Sequence, residues 1–150
     1  MRAVIQRVSE ASVVIGKQKI ADINQGLLIL LGIEIEDAKE DALWLANKIV
    51  QLRIFQDKDD VMNKSIADVD GKAIVVSQFT LHAKTKKGNR PSYIKAARPE
   101  QAIPLYEQFK KDLSEAIGSQ VQSGEFGANM KVSLINDGPV TIIIDTKNKE

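Results

Sequence analysis

The 150-residue sequence has no cysteine, one histidine, four prolines and only 5% aromatic residues. Without cysteine there can be no disulfide, Cys-based zinc site, iron–sulfur cluster or thiol nucleophile. One imidazole and no thiolate leave almost no nitrogen or sulfur ligands for a transition metal, so neither metal nor cofactor is expected. Charge of one sign is also missing: 21 basic residues stand against 20 acidic ones, for a net charge of +1. That excludes a strongly basic nucleic-acid coat and an acidic disordered chain, but not a local basic patch. The longest apolar run, residues 27–33, is far shorter than the ~20 residues that span a bilayer. The opening MRAVIQRVSE carries Arg2, Arg7 and Glu10 and has no apolar core of a signal peptide. The expectation is a soluble cytoplasmic protein with no membrane partner. P-loop, GxGxxG and GxSxG signatures are absent.

What is present suits one domain. A chain of this length with 43% hydrophobic residues buries roughly two-thirds of its unfolded surface. Period-2 alternation predicts a strand over 2–15, and a turn at Gly16-Lys17-Gln18 leads to a second over 19–23. After a turn at 24–26, the continuous run over 27–33 reads as a buried central strand closing a meander. Asp37 with Glu40 reads as a capping box opening a helix through about residue 52. Residues 57–71 are polar and turn-rich, with Met62, Ile66 and Val69 as sparse anchors. KAIVVSQFTL, 72–81, reads as a buried strand and 83–98 as a loop. A second helix runs from about Pro99 to Ile117, with Pro104 marking a late start or a kink. Strands over 120–123, 130–135 and 140–145 follow, and 147–150 is a loose tail. The fold class is α+β: a β-barrel-like mixed sheet with two packing helices, in a single domain spanning 1–150.

Three segments invite a chemical reading. The first is Ser77-Gln78-Phe79-Thr80, polar residues ending an apolar strand. They are either an edge strand with hydroxyls bonded locally or a strand that opens into a site. In a regular strand Ser77 and Thr80 face opposite ways, so a shared pocket needs a bulge or bend. The second is Asn136-Asp137-Gly138-Pro139-Val140-Thr141. It suits a hairpin turn or, alternatively, a rigid cis Gly–Pro wall, although only ~5–6% of X–Pro bonds in folded proteins are cis. The third is the stretch 83–99, which holds Lys84, Lys86, Lys87, Arg90, Lys95 and Arg98, with Tyr93 among them and no acid. It makes a local anion-binding surface, or simply a solvated loop. His82 is a surface or internally satisfied residue on the bland reading. On the sharp one it is a base for Ser77 or Thr80 in a small-ester hydrolase. A nucleic-acid-binding module without catalysis is the other alternative.

Taken together, SQFTL at 77–81, KGNRPSY at 87–93, PEQAIPLYEQF at 99–109, GEFGANM at 124–130 and NDGPVT at 136–141 resemble the D-aminoacyl-tRNA deacylase family over essentially the whole chain. The resemblance implies hydrolysis of the ester joining a D-amino acid to tRNA, and of glycyl-tRNA too, since glycine has no side chain to clash. It implies a homodimer in which one subunit inserts its cis Gly138-Pro139 motif into the other's pocket, opposite Ser77, Gln78, Phe79 and Thr80. Arg7, Asn136 and Met130 are the expected supporting residues, with Arg7 bracing the motif across the dimer interface. Lys84, Lys86, Lys87 and Arg90 are expected on tRNA phosphates. Main-chain atoms stiffened by proline would judge the chiral centre without reading the side chain, a specificity built on a clash.

Overall fold

A computed structural model describes all residues, 1–150. Its strands are β1 (Arg2–Ile15), β2 (Gln18–Ile23), β3 (Gly26–Gly32), β4 (Phe55–Gln56), β5 (Met62–Lys64), β6 (Lys72–Ser77), β7 (Gln122–Ser123) and β8 (Lys131–Asp145). Its helices are α1 (Lys39–Gln51) and α2 (Pro99–Ile117). The main sheet runs β2-β1-β3-β6-β7, with β8 on the other edge of β1. β3, β6 and β7 are parallel to one another, and the other pairs of this sheet are antiparallel. The expected meander is therefore overturned. β1 is long enough to hold β3 along residues 2–8 and β2 along residues 11–15, so β3 pairs with β1 instead of with its neighbour in sequence. The ring then nearly closes. The Gln122 side chain receives the Asp22 N–H (2.7 Å) and donates to the Asp22 carbonyl (2.9 Å), joining β7 to β2.

Burial on both faces explains the unbroken apolar runs. Leu27, Ile29 and Leu31 of β3, with Ala73 and Val75 of β6, face the helices. Leu28, Ile74 and Val76 point into the barrel with Val8, Val13 and Ile23. A bulge between Val8 and Glu10 shifts the pleat by one residue, which keeps Ala11 and Val13 on the same side as Val8. α1 buries Ala42, Leu45, Ala46 and Ile49, and α2 buries Ala102, Leu105, Tyr106, Phe109 and Leu113, each along one stripe. α2 starts at Pro99, continues through Pro104 without a late start, and ends at left-handed Gly118.

Several local expectations are corrected. Asp37 does not cap α1. It is buried, accepts the Met1 ammonium and the Glu34 N–H (2.8 Å), and leaves Ala38 as the N-cap, whose N–H goes to Asp41 (2.9 Å). The polar 57–71 segment contributes β5 to a small hairpin with β4, in which Ile66 is buried but Met62 is half exposed. β6 stops at Ser77 instead of Leu81 because residues 79–82 coil into a 3₁₀ turn. The expected break at 136–139 does not end a strand, since β8 runs through it. The tail is tied down by Lys147 on Asp41 (2.9 Å) and by Lys149 over the Trp44 ring (4.2 Å). Neither helix is long and apolar enough to cross a membrane.

Burial pushes the Asp145 carboxyl up, but its hydrogen bonds from Arg2 and the Lys147 N–H, with the Arg2 charge, hold it below the ordinary range. A depressed folded-state value stabilises the fold above the unfolded carboxylate pKa of about 4, and this is lost as pH falls through the folded value. Urea midpoints measured from pH 6 to pH 3 should therefore fall, and Asp145→Asn should flatten that fall while lowering the midpoint at pH 6.

Candidate active site

The end of β6 builds one wall of a cleft of about 270 Å³. Ser77, Gln78 and Phe79 line it, with Leu31, Ile33 and Val76 behind them. The opposite wall comes from the turn before β8: Phe126, Gly127, Ala128, Asn129 and Met130. This turn is anchored by the Gly124 N–H on the Val75 carbonyl (3.1 Å) and by left-handed Gly127. Tyr106 supports it from α2, donating to the same Val75 carbonyl (3.0 Å) and meeting Phe126 edge-to-face at 5.8 Å. A Cβ on Gly124 would lie 2.2 Å from the Met130 sulfur, so only glycine lets Met130 reach the cleft wall in this position.

The strand does give way to a 3₁₀ turn, but the turn does not bring both hydroxyls into one pocket: Ser77, Gln78 and Phe79 line the cleft and Thr80 does not. Gln78 donates its N–H to Leu31 (2.8 Å), and Leu81 then closes the first internal bond of the turn on the Gln78 carbonyl (3.2 Å). The N–H groups of Phe79 and Thr80 come before that bond and have no acceptor in the chain. The Thr80 hydroxyl is not free, because it accepts from the Gln78 side-chain amide. No carboxylate, imidazole or lysine lines the cleft; its polar side chains are Ser77, Gln78 and Asn129. Two unpaired N–H groups beside an apolar cleft can stabilise a developing oxyanion but cannot shuttle protons.

His82 is neither at the surface nor satisfied. It is buried, its Nε2 has no hydrogen-bond partner, and it bonds to neither Ser77 nor Thr80. The geometry of a Ser/His or Thr/His hydrolase is not formed. The chain also holds no cluster of three or more metal-ligating side chains.

Gly138 and Pro139 do not line this cleft. They lie on β8 six and seven residues beyond Val132, the β8 residue that does line it. Gln6 pairs with Thr141 and Val8 with Asn136, so one residue of β1, Arg7, stands opposite the four residues 137–140. The bond between Gly138 and Pro139 is cis, against the frequency expectation, and both residues are exposed. The excursion is braced within its own chain. Buried Arg7 donates to the Asp137 carbonyl (2.9 Å) and to the Ile54 carbonyl (2.7 Å). Asn136 accepts the Val140 N–H (2.9 Å) and donates to Thr141 Oγ1 (3.0 Å).

The basic residues sit on an exposed loop whose base is closed by mutual hydrogen bonds between Lys84 and Ser92 (2.8 and 3.0 Å). Lys84, Lys86, Lys87, Arg90, Lys95 and Arg98 make no ion pair in the chain.

The family model for D-Tyr-tRNA(Tyr) deacylase matches residues 4–145. The chain belongs to this family. It is 66% identical to the D-aminoacyl-tRNA deacylase of Bacteroides fragilis (strain YCH46) and 63% identical to that of Flavobacterium johnsoniae, each over 150 residues and the full length of both chains. Among solved structures it is similar to the c-Myc DNA Unwinding Element Binding Protein (TM-score 0.91, 39% identity, 97% of this chain and 98% of that one). It also shares the fold of a probable eukaryotic D-amino acid tRNA deacylase (TM-score 0.80, 16% identity, 95% and 97% covered). In this deacylase the cleft wall at 126–129 is the part that composition and pattern did not single out. Its signal was the GEFGANM segment, of which only Met130 was assigned a supporting role.

Gly138 has φ +140°, and a Cβ there would lie 2.8 Å from Val140 Cγ2 and 3.0 Å from Arg7 Nη2. Gly138→Ala should therefore cost about 1–3 kcal/mol in chemical denaturation, the usual scale of a strained backbone position. Gly16→Ala, also left-handed but with open space around it, should cost less.

Proposed function

We propose that this deacylase cleaves the ester of D-aminoacyl-tRNA by positioning and electrostatics, without an acid–base side chain. The observation that carries this reading is the pair of unpaired N–H groups at Phe79 and Thr80, beside a cleft with no titratable side chain. The ester carbonyl oxygen accepts from these donors as it gains charge, an arrangement worth about 10²–10³-fold in rate per donor in other enzymes. Water attacks the carbonyl carbon, and the 2′-OH of the terminal ribose assists the departure of the 3′ oxygen. Gln78 orients the Thr80 hydroxyl as a binding group, and Ser77 sits beside it.

Chirality is judged by a second copy of the chain. The Gly138-Pro139 excursion is exposed, lies away from its own cleft and is braced by Arg7 and Asn136, as suits a rigid element offered to a neighbour. In a homodimer it enters the partner's cleft opposite residues 77–80. An L-side chain meets this wall, whereas a D-side chain points out and glycine has nothing to clash. β8 supports such pairing: its outer edge is unpaired, and Ile135 and Ile143 are 53% and 68% exposed. Lys84, Lys86, Lys87 and Arg90 meet tRNA phosphates, and the enzyme works in the cytoplasm on charged tRNA.

The similarity to a protein named for binding a DNA element favours one second reading, a nucleic-acid-binding module without catalysis. Purified protein mixed with D-tyrosyl-tRNA and with L-tyrosyl-tRNA separates the two: preferential release of D-tyrosine is expected, and equal or no release would overturn the enzyme mechanism. Thr80→Val keeps the N–H and should lower kcat less than about tenfold, whereas loss of a covalent nucleophile costs on the order of 10³-fold or more. Arg7→Ala releases the excursion and should lower kcat/KM for D-tyrosyl-tRNA and weaken the D/L preference together. KM for tRNA should rise with salt, with a shallower slope when Lys86 and Lys87 are both changed to alanine.

A further inference from the structure

Beside the cleft lies a surface that shares Phe79 with it and whose other residues the ester chemistry does not use. Phe79 and Tyr93 meet edge-to-face, with ring centroids 5.0 Å apart and planes at 77°. They are 55% and 38% exposed, and the adjoining Ile94 is 71% exposed. Such a patch is costly to leave in water, and this one is held in place. The Lys84–Ser92 hydrogen bonds pin the chain just before Tyr93. The Ala96 N–H on the Tyr93 carbonyl (3.0 Å), the Ile35 N–H on the Lys95 carbonyl (3.1 Å) and the Ala97 N–H on the Ile33 carbonyl (2.9 Å) pin it just after.

The surroundings identify the occupant. An edge-to-face pair leaves one ring face open to stack a planar group. Six cations lie between residues 84 and 98 of the same segment, none in an ion pair and with no acid among them. Exposed rings on a cation-rich segment suit single-stranded nucleic acid, in which bases stack on aromatics while phosphates follow the positive charge. A protein partner would be expected to bring carboxylates but has no need of open ring faces. Phe79 itself contributes one of the two free N–H groups, so an RNA strand that delivers its 3′-terminal ester there leaves the cleft alongside Tyr93.

We infer that Phe79, Tyr93 and Ile94 form a stacking platform for the unpaired bases that precede the acylated adenosine at the 3′ end of tRNA. This rests on the reading of residues 77–80 as the reaction site. The platform makes the enzyme sensitive to the single-stranded end of its substrate through base planes, independently of the charge contacts on the same loop.

The test compares D-tyrosyl-tRNA with 3′-O-D-tyrosyl-adenosine, which lacks all upstream bases, and separately measures binding of a single-stranded RNA tetranucleotide and of its abasic counterpart. Tyr93→Ala should raise KM for D-tyrosyl-tRNA about tenfold or more, the scale of one lost base stack, with kcat unchanged. The same variant should cleave the adenosine ester at the wild-type rate, and Tyr93→Phe should behave as wild type on both. The tetranucleotide should bind at least about tenfold more weakly to Tyr93→Ala with the same salt slope, and the abasic strand should not distinguish the two proteins. Equal losses on both ester substrates would make Tyr93 a structural prop for Phe79 and overturn the platform. So would wild-type binding of RNA by Tyr93→Ala, or equal affinity for abasic and normal strands. Wild-type protein that binds RNA with this base dependence but cleaves neither ester would instead overturn the site reading, and with it the place of the platform beside a reaction.

Discussion

One residue of β1 stands opposite four of β8, and the Arg7 guanidinium holds the gap open. A guanidinium has rigid donors and no acceptor, so once buried it must be given carbonyls or carboxylates. Arg7 finds the Asp137 carbonyl on the excursion and the Ile54 carbonyl beyond α1, which links the excursion to the helix-facing core. Removing it would leave the buried Ile54 carbonyl without this donor and the Asp137 carbonyl unbraced. Without this contact the Gly138-Pro139 excursion would keep only the Asn136 bonds to Val140 and Thr141.

The cleft follows a different constraint. A central parallel strand buried on both faces has to surrender its hydrogen-bond ladder where the sheet ends, and β6 does so at Ser77 by coiling. The N–H groups freed there are fixed dipoles that need no reorganisation when charge develops near them. The other wall of the cleft is mostly small or apolar. On the proposed reading, the rate at such a site comes from placement, and handedness from shape. It is a physically consistent arrangement for a deacylase whose substrates differ in every side chain but share one stereocentre, and it accounts for an active chain with a single, buried imidazole. The platform at Tyr93 extends the same division of labour: charge attracts the strand, and ring planes set where it lies.

Much of the fold was legible because burial periodicity is a local property. The span of β1, the helix over Pro99–Ile117 and the two-sided burial of β3 follow from spacing alone. The errors fall where a side chain had two competing partners. Asp37 has the composition of a cap but lies within reach of the Met1 ammonium, a buried charge whose other partners are the Thr146 hydroxyl (2.8 Å) and the Glu34 carboxylate at 3.9 Å. Asn136 to Pro139 have the composition of a hairpin turn, yet a partner strand on one side carries the chain through. In the site, Ser77 to Thr80 were legible as polar residues ending an apolar strand. Residues 126–129 were not, because their part is to supply backbone and small apolar surface, which leaves little trace in composition.

The sequence by itself determined an α+β domain with two amphipathic helices, a basic loop and two unusual polar segments, since each depends on residues near one another along the chain. Only the tertiary structure decided that β3 joins β1 instead of β2, that the strand past Ser77 coils and frees two N–H groups, and that Gly138 and Pro139 are exposed outside their own cleft. Those outcomes depend on which distant groups satisfy a buried donor or acceptor, and a donor's partner is chosen by the packed fold and not by its neighbours in sequence.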